Sequence, residues 1–405
     1  MRSNNLLQPT ANPLRGLPAP ELKRWASNDR CCLPAEVIND RFLTKGGHTM
    51  KRQMIYRTVA SAAIFVVVGF VFLQAADACT RVLWNDSGLN VVVGRTMDWP
   101  ESTQPEIVVF PRGMKRDGGL LGTETAVKVN PAKWTSKYAS MVVPVYGIGT
   151  ADGFNEAGLA IHMLYLKSTD FGPRDPSKPG VQTGLWGQYA LDNTATVAQA
   201  LALLKKIQPV MVEMHGHKAT VHLALEDATG DSAILEYING KLVIHHGRQY
   251  RVMTNDPSYD QQLALLQKMK KEVDFAHPSS NTPLPGNVSA TDRFQRASYF
   301  SALLPKPKNE REEVASILSI MRNVSVPFGA PYQSFGIYNT EYRTVIDLNI
   351  KRYYFELTTA PNVIWADLMK FDLNPGASVM VLNPDNTGLS GNVTDRFHRA
   401  EKAPF

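Results

Sequence analysis

Ala76-Asp77-Ala78-Cys79-Thr80-Arg81 divides this chain of 405 residues into two unlike parts. Before it run residues 59–73, apolar or small except for Ser61, behind a basic Met50-Lys51-Arg52. Fifteen such residues match the apolar region of a secretory signal and fall short of the roughly 18–20 needed to span a bilayer. Small residues at 76 and 78 satisfy the A-x-A rule, so cleavage is expected between Ala78 and Cys79. That cut would place a thiol and a free α-amine on one residue. An α-amine with a pKa of roughly 8 is partly unprotonated near neutrality, and a thiol with its own base alongside is an activated nucleophile.

The rest of the leader and the balance of charge follow from the same division. Residues 1–49 are polar and Pro-rich without periodicity, which reads as a disordered extension or as a start assigned too early, with Met50 or Met54 the true beginning. Residues 50–78 read as the signal peptide and 79–405 as the folded domain. The leader holds 10 of the 43 Lys+Arg and 5 of the 37 Asp+Glu, so the net +6 falls to +1 over residues 79–405. A nearly neutral domain offers no case for nucleic-acid binding, which would need a basic face. Cys31 and Cys32 lie in the leader, which leaves Cys79 as the single cysteine of the remainder and rules out an internal disulfide there. A lone thiol in an exported protein is one with a use.

Period-2 apolar runs predict strands at 81–84 and 90–96 joined around Asp86-Ser87-Gly88, then at 107–110, 141–145 and 159–166, the last two joined by a tight turn at Asn155-Glu156-Ala157-Gly158. Further strands are expected at 221–225, 233–237, 241–244, 344–348, 353–358 and 363–368. Helical spacing predicts helices at 196–207, 259–273, 293–304 and 311–322. Strands, helices and strands again define an α+β layered domain. His215-Gly216-His217 and His245-His246 invite a metal reading, but no H-E-x-x-H or cysteine pair accompanies them, so neither metal nor cofactor is expected.

Five short motifs recur in one order. Cys79-Thr80-Arg81 is followed by Gly94-Arg95-Thr96-Met97-Asp98-Trp99. Asp152-Gly153-Phe154-Asn155-Glu156-Ala157-Gly158-Leu159, Thr254-Asn255-Asp256-Pro257 and Leu284-Pro285-Gly286 with Asp292-Arg293-Phe294 come after. Together they resemble choloylglycine hydrolases and penicillin V acylases, amidases with an N-terminal nucleophile. The resemblance implies a four-layer αββα sandwich. It further implies that Cys79 is the nucleophile, that Asp98 orients the thiol and amine, and that Arg95 lies close to both. Asn255 would supply a side-chain donor to the oxyanion hole, Tyr165 a backbone N–H, and Arg293 would complete the charge network. Each has a plain alternative: Asp98 capping a hairpin end, Arg95 pairing with Asp98, Asn255 as a turn residue, Arg293 as a solvated helix residue with Arg296 competing for its role.

Around these residues the sequence is aromatic and apolar, and Trp99, Met97, Met163 and Leu164 are the expected walls of an acyl pocket. No comparable group of fixed charges is expected to read the amine half. The implied activity is hydrolysis of linear C–N amide bonds in acylated small molecules, of the penicillin V or N-acyl homoserine lactone type ahead of bile salts, since an aromatic at 165 is the acylase pattern. An N-acylethanolamine or ceramide-type amidase shares the nucleophile, and a non-catalytic, membrane-anchored or periplasmic binding module is the rival from another class. Expected partners are the acyl amide substrate and signal peptidase. A membrane contact would run only through an uncleaved signal segment, and the reading leaves room for a homo-oligomer. The expected location is secreted or periplasmic.

Overall fold

The computed structural model describes residues 79–331, 339–360 and 362–405. The expected disordered extension and signal peptide lie outside the described residues. Among those described, no helix is long and apolar enough to cross a membrane.

The hairpin predicted from the first motif forms as Thr80–Trp84 and Val92–Trp99, with Gly88 at φ +93° in the turn. Both strands are buried on both faces, which only central strands of a covered sheet can be. They sit in a seven-stranded sheet in the order Val252–Thr254, Thr80–Trp84, Val92–Trp99, Asn339–Asp347, Arg352–Leu357, Ile364–Asp367 and Gly391–Asn392. Helices Ala290–Ala302 and Glu310–Asn323 cover one face. Approach is close: a Cβ added to Gly94 would stand 2.4 Å from Ile317 Cγ2, so the glycine is required where helix meets sheet.

A second, nine-stranded sheet runs in the order Lys241–His246, Ser232–Ile238, Val221–Asp227, Leu159–Tyr165, Gly149–Asn155, Ser140–Val145, Ile107–Phe110, Met380–Leu382 and His398–Arg399. Helices Trp186–Asn193 and Val197–Leu204 pack on its outer face. The inner faces of the two sheets meet in one core that includes Phe154, Ala160, Leu164, Val345 and Tyr353. The expected αββα layering is therefore present.

Gly149–Asn155 and Trp186–Asn193 are among the elements that escaped the sequence pattern. Gly149–Asn155 is a strand although it reads Gly-Thr-Ala-Asp-Gly-Phe-Asn, and the Asn155–Gly158 turn joins it, not Ser140–Val145, to Leu159–Tyr165. Its polar residues find partners across the sheets, so burial replaces apolar alternation as the reason for the strand. Helix Trp186–Asn193 starts without a side-chain cap, and Gly187 lets it approach Ile161.

Candidate active site

Strand register brings the motifs together. Thr80 pairs with Thr96 on one side and with Thr254 on the other, so Cys79, one residue earlier, falls beside Met97 and Asn255. Thr340 pairs with Asp98 from the far side of the second strand. Ser289 caps the Ala290–Ala302 helix by accepting from the Asp292 N–H, and this sets Arg293 on the first turn, aimed at the sheet.

Cys79 is 3% exposed and lines a cleft. Its Sγ lies 3.8 Å from Arg95 Nη2, 3.8 Å from the Asp98 carbonyl oxygen and 3.9 Å from Met97 Sδ. Arg95 donates to the Ala151 carbonyl at 2.6 Å, which holds its guanidinium beside the sulfur. Burial pushes the thiol's pKa up, and the Arg95 charge works against that rise. The Cys79 nitrogen donates to Asn255 Oδ1. In the full-length chain this nitrogen is a peptide N–H; cleavage after Ala78 would make the same atom the α-amine. Asn255 Nδ2 is buried without a partner among the described residues, an orphan donor on the side chain that meets Cys79.

Asp98 is fully buried. It accepts from Thr96 at 3.0 Å and from Thr340, and faces Arg293 at 3.4 Å. Burial pushes its carboxyl up, while Arg293, Thr340 and Thr96 pull the other way. Arg293 also donates to Thr80, so one guanidinium ties the aspartate to the residue that follows Cys79. Arg296 instead holds the Pro285 and Asn287 carbonyls in the preceding loop and is no competitor.

The ladder between Leu159–Tyr165 and Gly149–Asn155 pairs residues only from Ala160 to His162, and the cleft is lined from the ends of these strands, by Ala151 on one and by Met163 and Tyr165 on the other. Met97, Trp99, Met163 and Tyr165 line it, with Trp99 and Tyr165 rings 6.0 Å apart. Leu164 does not. Successive strand residues point to opposite faces, so with Met163 and Tyr165 at the cleft Leu164 is sent into the core against the other sheet.

The sequence pattern gave no sign of several contributors. Gln262, on the first turns of the next helix, accepts from the Thr254 N–H at 3.0 Å and donates to the carbonyls of Thr254, Asn255 and Pro257, fixing the turn that presents Asn255. Thr340 carried no motif signal. A small hairpin, Glu213–Met214 with His217–Lys218, places Met214, His217 and Lys218 on the cleft wall, with the His217 ring 5.1 Å from that of Trp99. Lys218 thus puts a cationic side chain on this wall.

Asp256 adjoins the site and supplies a stability test. Burial pushes its carboxyl from 3.8 up to about 6. Its folded pKa exceeds the unfolded one, so the stability it contributes is complete below about pH 4 and is lost as pH rises through about 6. Asp256→Asn removes that loss. The variant should be more stable than the wild type above about pH 7, by order of 1–3 kcal/mol, and indistinguishable near pH 4. Matching thermal midpoints at pH 8 would reject this.

A buried cysteine at the end of a central strand, between two stacked antiparallel sheets each covered by helices, fits the fold of an N-terminal-nucleophile hydrolase. The chain belongs to the linear amide C–N hydrolases, choloylglycine hydrolase family, whose pattern it matches over residues 79–389. It is 36% identical to a penicillin V acylase of Pectobacterium atrosepticum, over 81% of this chain and 92% of that protein. The solved penicillin V acylase of Agrobacterium tumefaciens is 41% identical and superposes with a TM-score of 0.70 over 80% of this chain and 98% of its own. A bile salt hydrolase/transferase of Bifidobacterium longum subsp. longum is 23% identical over 75% of this chain and 99% of that protein. The protein is a hydrolase acting on linear amide C–N bonds.

Proposed function

We propose that the protein is exported, that its mature form begins at Cys79, and that it cleaves acylated small molecules with an aromatic or medium-length acyl group. Amides of the penicillin V or N-acyl homoserine lactone type fit better than conjugated bile salts. The observation that carries this reading is the placing of Cys79 under an apolar, aromatic cleft beside an unpartnered Asn255 amide.

In this mechanism the α-amine of Cys79 takes the thiol proton and Sγ attacks the substrate carbonyl carbon. The tetrahedral oxygen receives hydrogen bonds from Asn255 Nδ2 and the Tyr165 backbone N–H. The C–N bond breaks as the α-ammonium returns its proton to the leaving amine, and water then hydrolyses the thioester. Asp98, held by Arg293, Thr96 and Thr340, orients the nucleophile.

Acyl selectivity follows from the lining. A phenoxyacetyl group buries enough more apolar surface than acetyl to gain about 2–3 kcal/mol, roughly 30- to 150-fold. The test is a panel of acetyl, hexanoyl and phenoxyacetyl amides on protein whose N-terminus has been established by mass. Wild type should prefer phenoxyacetyl, and Trp99→Ala should lose about tenfold more on that group than on acetyl. Equal losses would make Trp99 scaffold, and an intact leader on active protein would reject the Cys79 N-terminus. Preference for N-acylethanolamines would move the substrate assignment within the family.

A further inference from the structure

Between the two sheets lies a chain of buried charges that the mechanism above does not use. Arg81, two residues after Cys79, donates through Nε to Glu226 Oε2 at 3.1 Å and also reaches it through Nη2. Glu226 Oε1 stands 2.6 Å from His162 Nε2, and His162 Nδ1 stands 2.7 Å from Asp152 Oδ1. Asp152 Oδ2 accepts from Thr344 and Tyr353, both at 2.7 Å and both on the sheet of the nucleophile. All of these side chains are buried, and Arg81, His162, Asp152 and Glu226 are fully so. The His162 contacts bend away from linear hydrogen bonds, so the attraction is chiefly charge against charge.

A neutral imidazole has one donor and one acceptor nitrogen; it cannot satisfy a carboxylate on each side. Flanked by Asp152 and Glu226, the ring is satisfied only with both nitrogens protonated. The neighbouring charges agree: burial opposes a charged ring, yet Glu226 and Asp152 hold the His162 pKa above its ordinary value.

The consequence reaches the thiol through Arg95. Asp152 follows Ala151, whose carbonyl holds the Arg95 guanidinium, and the charges of Arg95 and Asp152 act on each other. An Asp152 carboxylate left uncompensated would compete with the sulfur for Arg95. We propose that His162 is a positioning residue, a permanent imidazolium that occupies Asp152 and Glu226, so that Arg95 stays turned to Cys79 and Arg81 anchors the strand of the nucleophile. This rests on Cys79 being the nucleophile but on no particular substrate.

The test needs no substrate in two of its three arms. In ¹⁵N-histidine-labelled wild type, the resonance absent from His162→Gln should show both ring nitrogens protonated throughout the pH range in which an ordinary imidazole, with its midpoint at about 6.5, goes neutral. If that variant does not fold, the resonance is recognised by its protection from solvent exchange. A ring that titrates to neutral within this range overturns the proposal. In folded His162→Gln, alkylation of Cys79 by iodoacetamide, followed on the Cys79 peptide by mass, should have its pH midpoint raised by about one unit. With any amide the wild type hydrolyses, kcat should fall at least about tenfold while KM, set by the cleft walls, stays within about threefold. An unchanged alkylation profile, or a loss confined to KM, would make His162 structural only.

Discussion

Mature protein carrying Cys79→Ser is expected to fold as the wild type does and to lose amidase turnover by at least about a thousandfold. The exchange of sulfur for oxygen changes little volume at a residue 3% exposed, so core packing around Met97 and Met253 should hold. The chemistry changes far more. A serine hydroxyl is a weaker nucleophile at neutral pH, and Arg95 Nη2 at 3.8 Å from Sγ favours a thiolate that serine cannot supply. The measurement is single-turnover hydrolysis beside thermal unfolding of the same samples. Turnover within tenfold of wild type would place the nucleophile elsewhere.

Asn255 carries the second large effect because its two side-chain atoms have separate tasks. Oδ1 accepts from the Cys79 nitrogen, and Nδ2 is buried without a partner among the described residues. Asn255→Ala removes both and should cost about 3–4 kcal/mol of barrier, or 10²- to 10³-fold in kcat. Asn255→Asp keeps an acceptor for the nitrogen but has no donor for the tetrahedral oxygen, so its kcat should fall as far as that of the alanine variant. An Asp variant within a few fold of wild type would show that the donor belongs to another group and that Asn255 only anchors the nucleophile's nitrogen.

Much of this site is legible in the amino-acid sequence. Cys79, Arg95, Asp98, Asn255 and Arg293 stand in short motifs, and each sits on a turn, a strand or a helix start whose local chemistry is distinctive. A hairpin around Asp86-Ser87-Gly88 necessarily returns Arg95 and Asp98 towards Cys79. Strands such as Ile107–Phe110 and Ser232–Ile238 declare themselves by β-branched and apolar content, and helices Tyr259–Glu272 and Glu310–Asn323 by their spacing.

What the sequence determined alone was therefore local: most of the strands and helices in their order along the chain, and the turns that aim Cys79. Tertiary structure decided what depends on partners far along the chain. Alternation in 159–165 says that Met163 and Leu164 face opposite ways but not which of them meets the cleft; the packing of two sheets put Leu164 in the core. Gly149–Asn155 carries too little apolar pattern to announce a strand, since Asp152 is satisfied by Thr344 and Tyr353, 192 and 201 residues away. Thr340 reaches Asp98, and His162 meets Asp152 and Glu226, for the same reason. A buried polar group takes its meaning from whatever the fold brings within about 3 Å of it, and that distance is set by sheet stacking, which no local window of sequence contains.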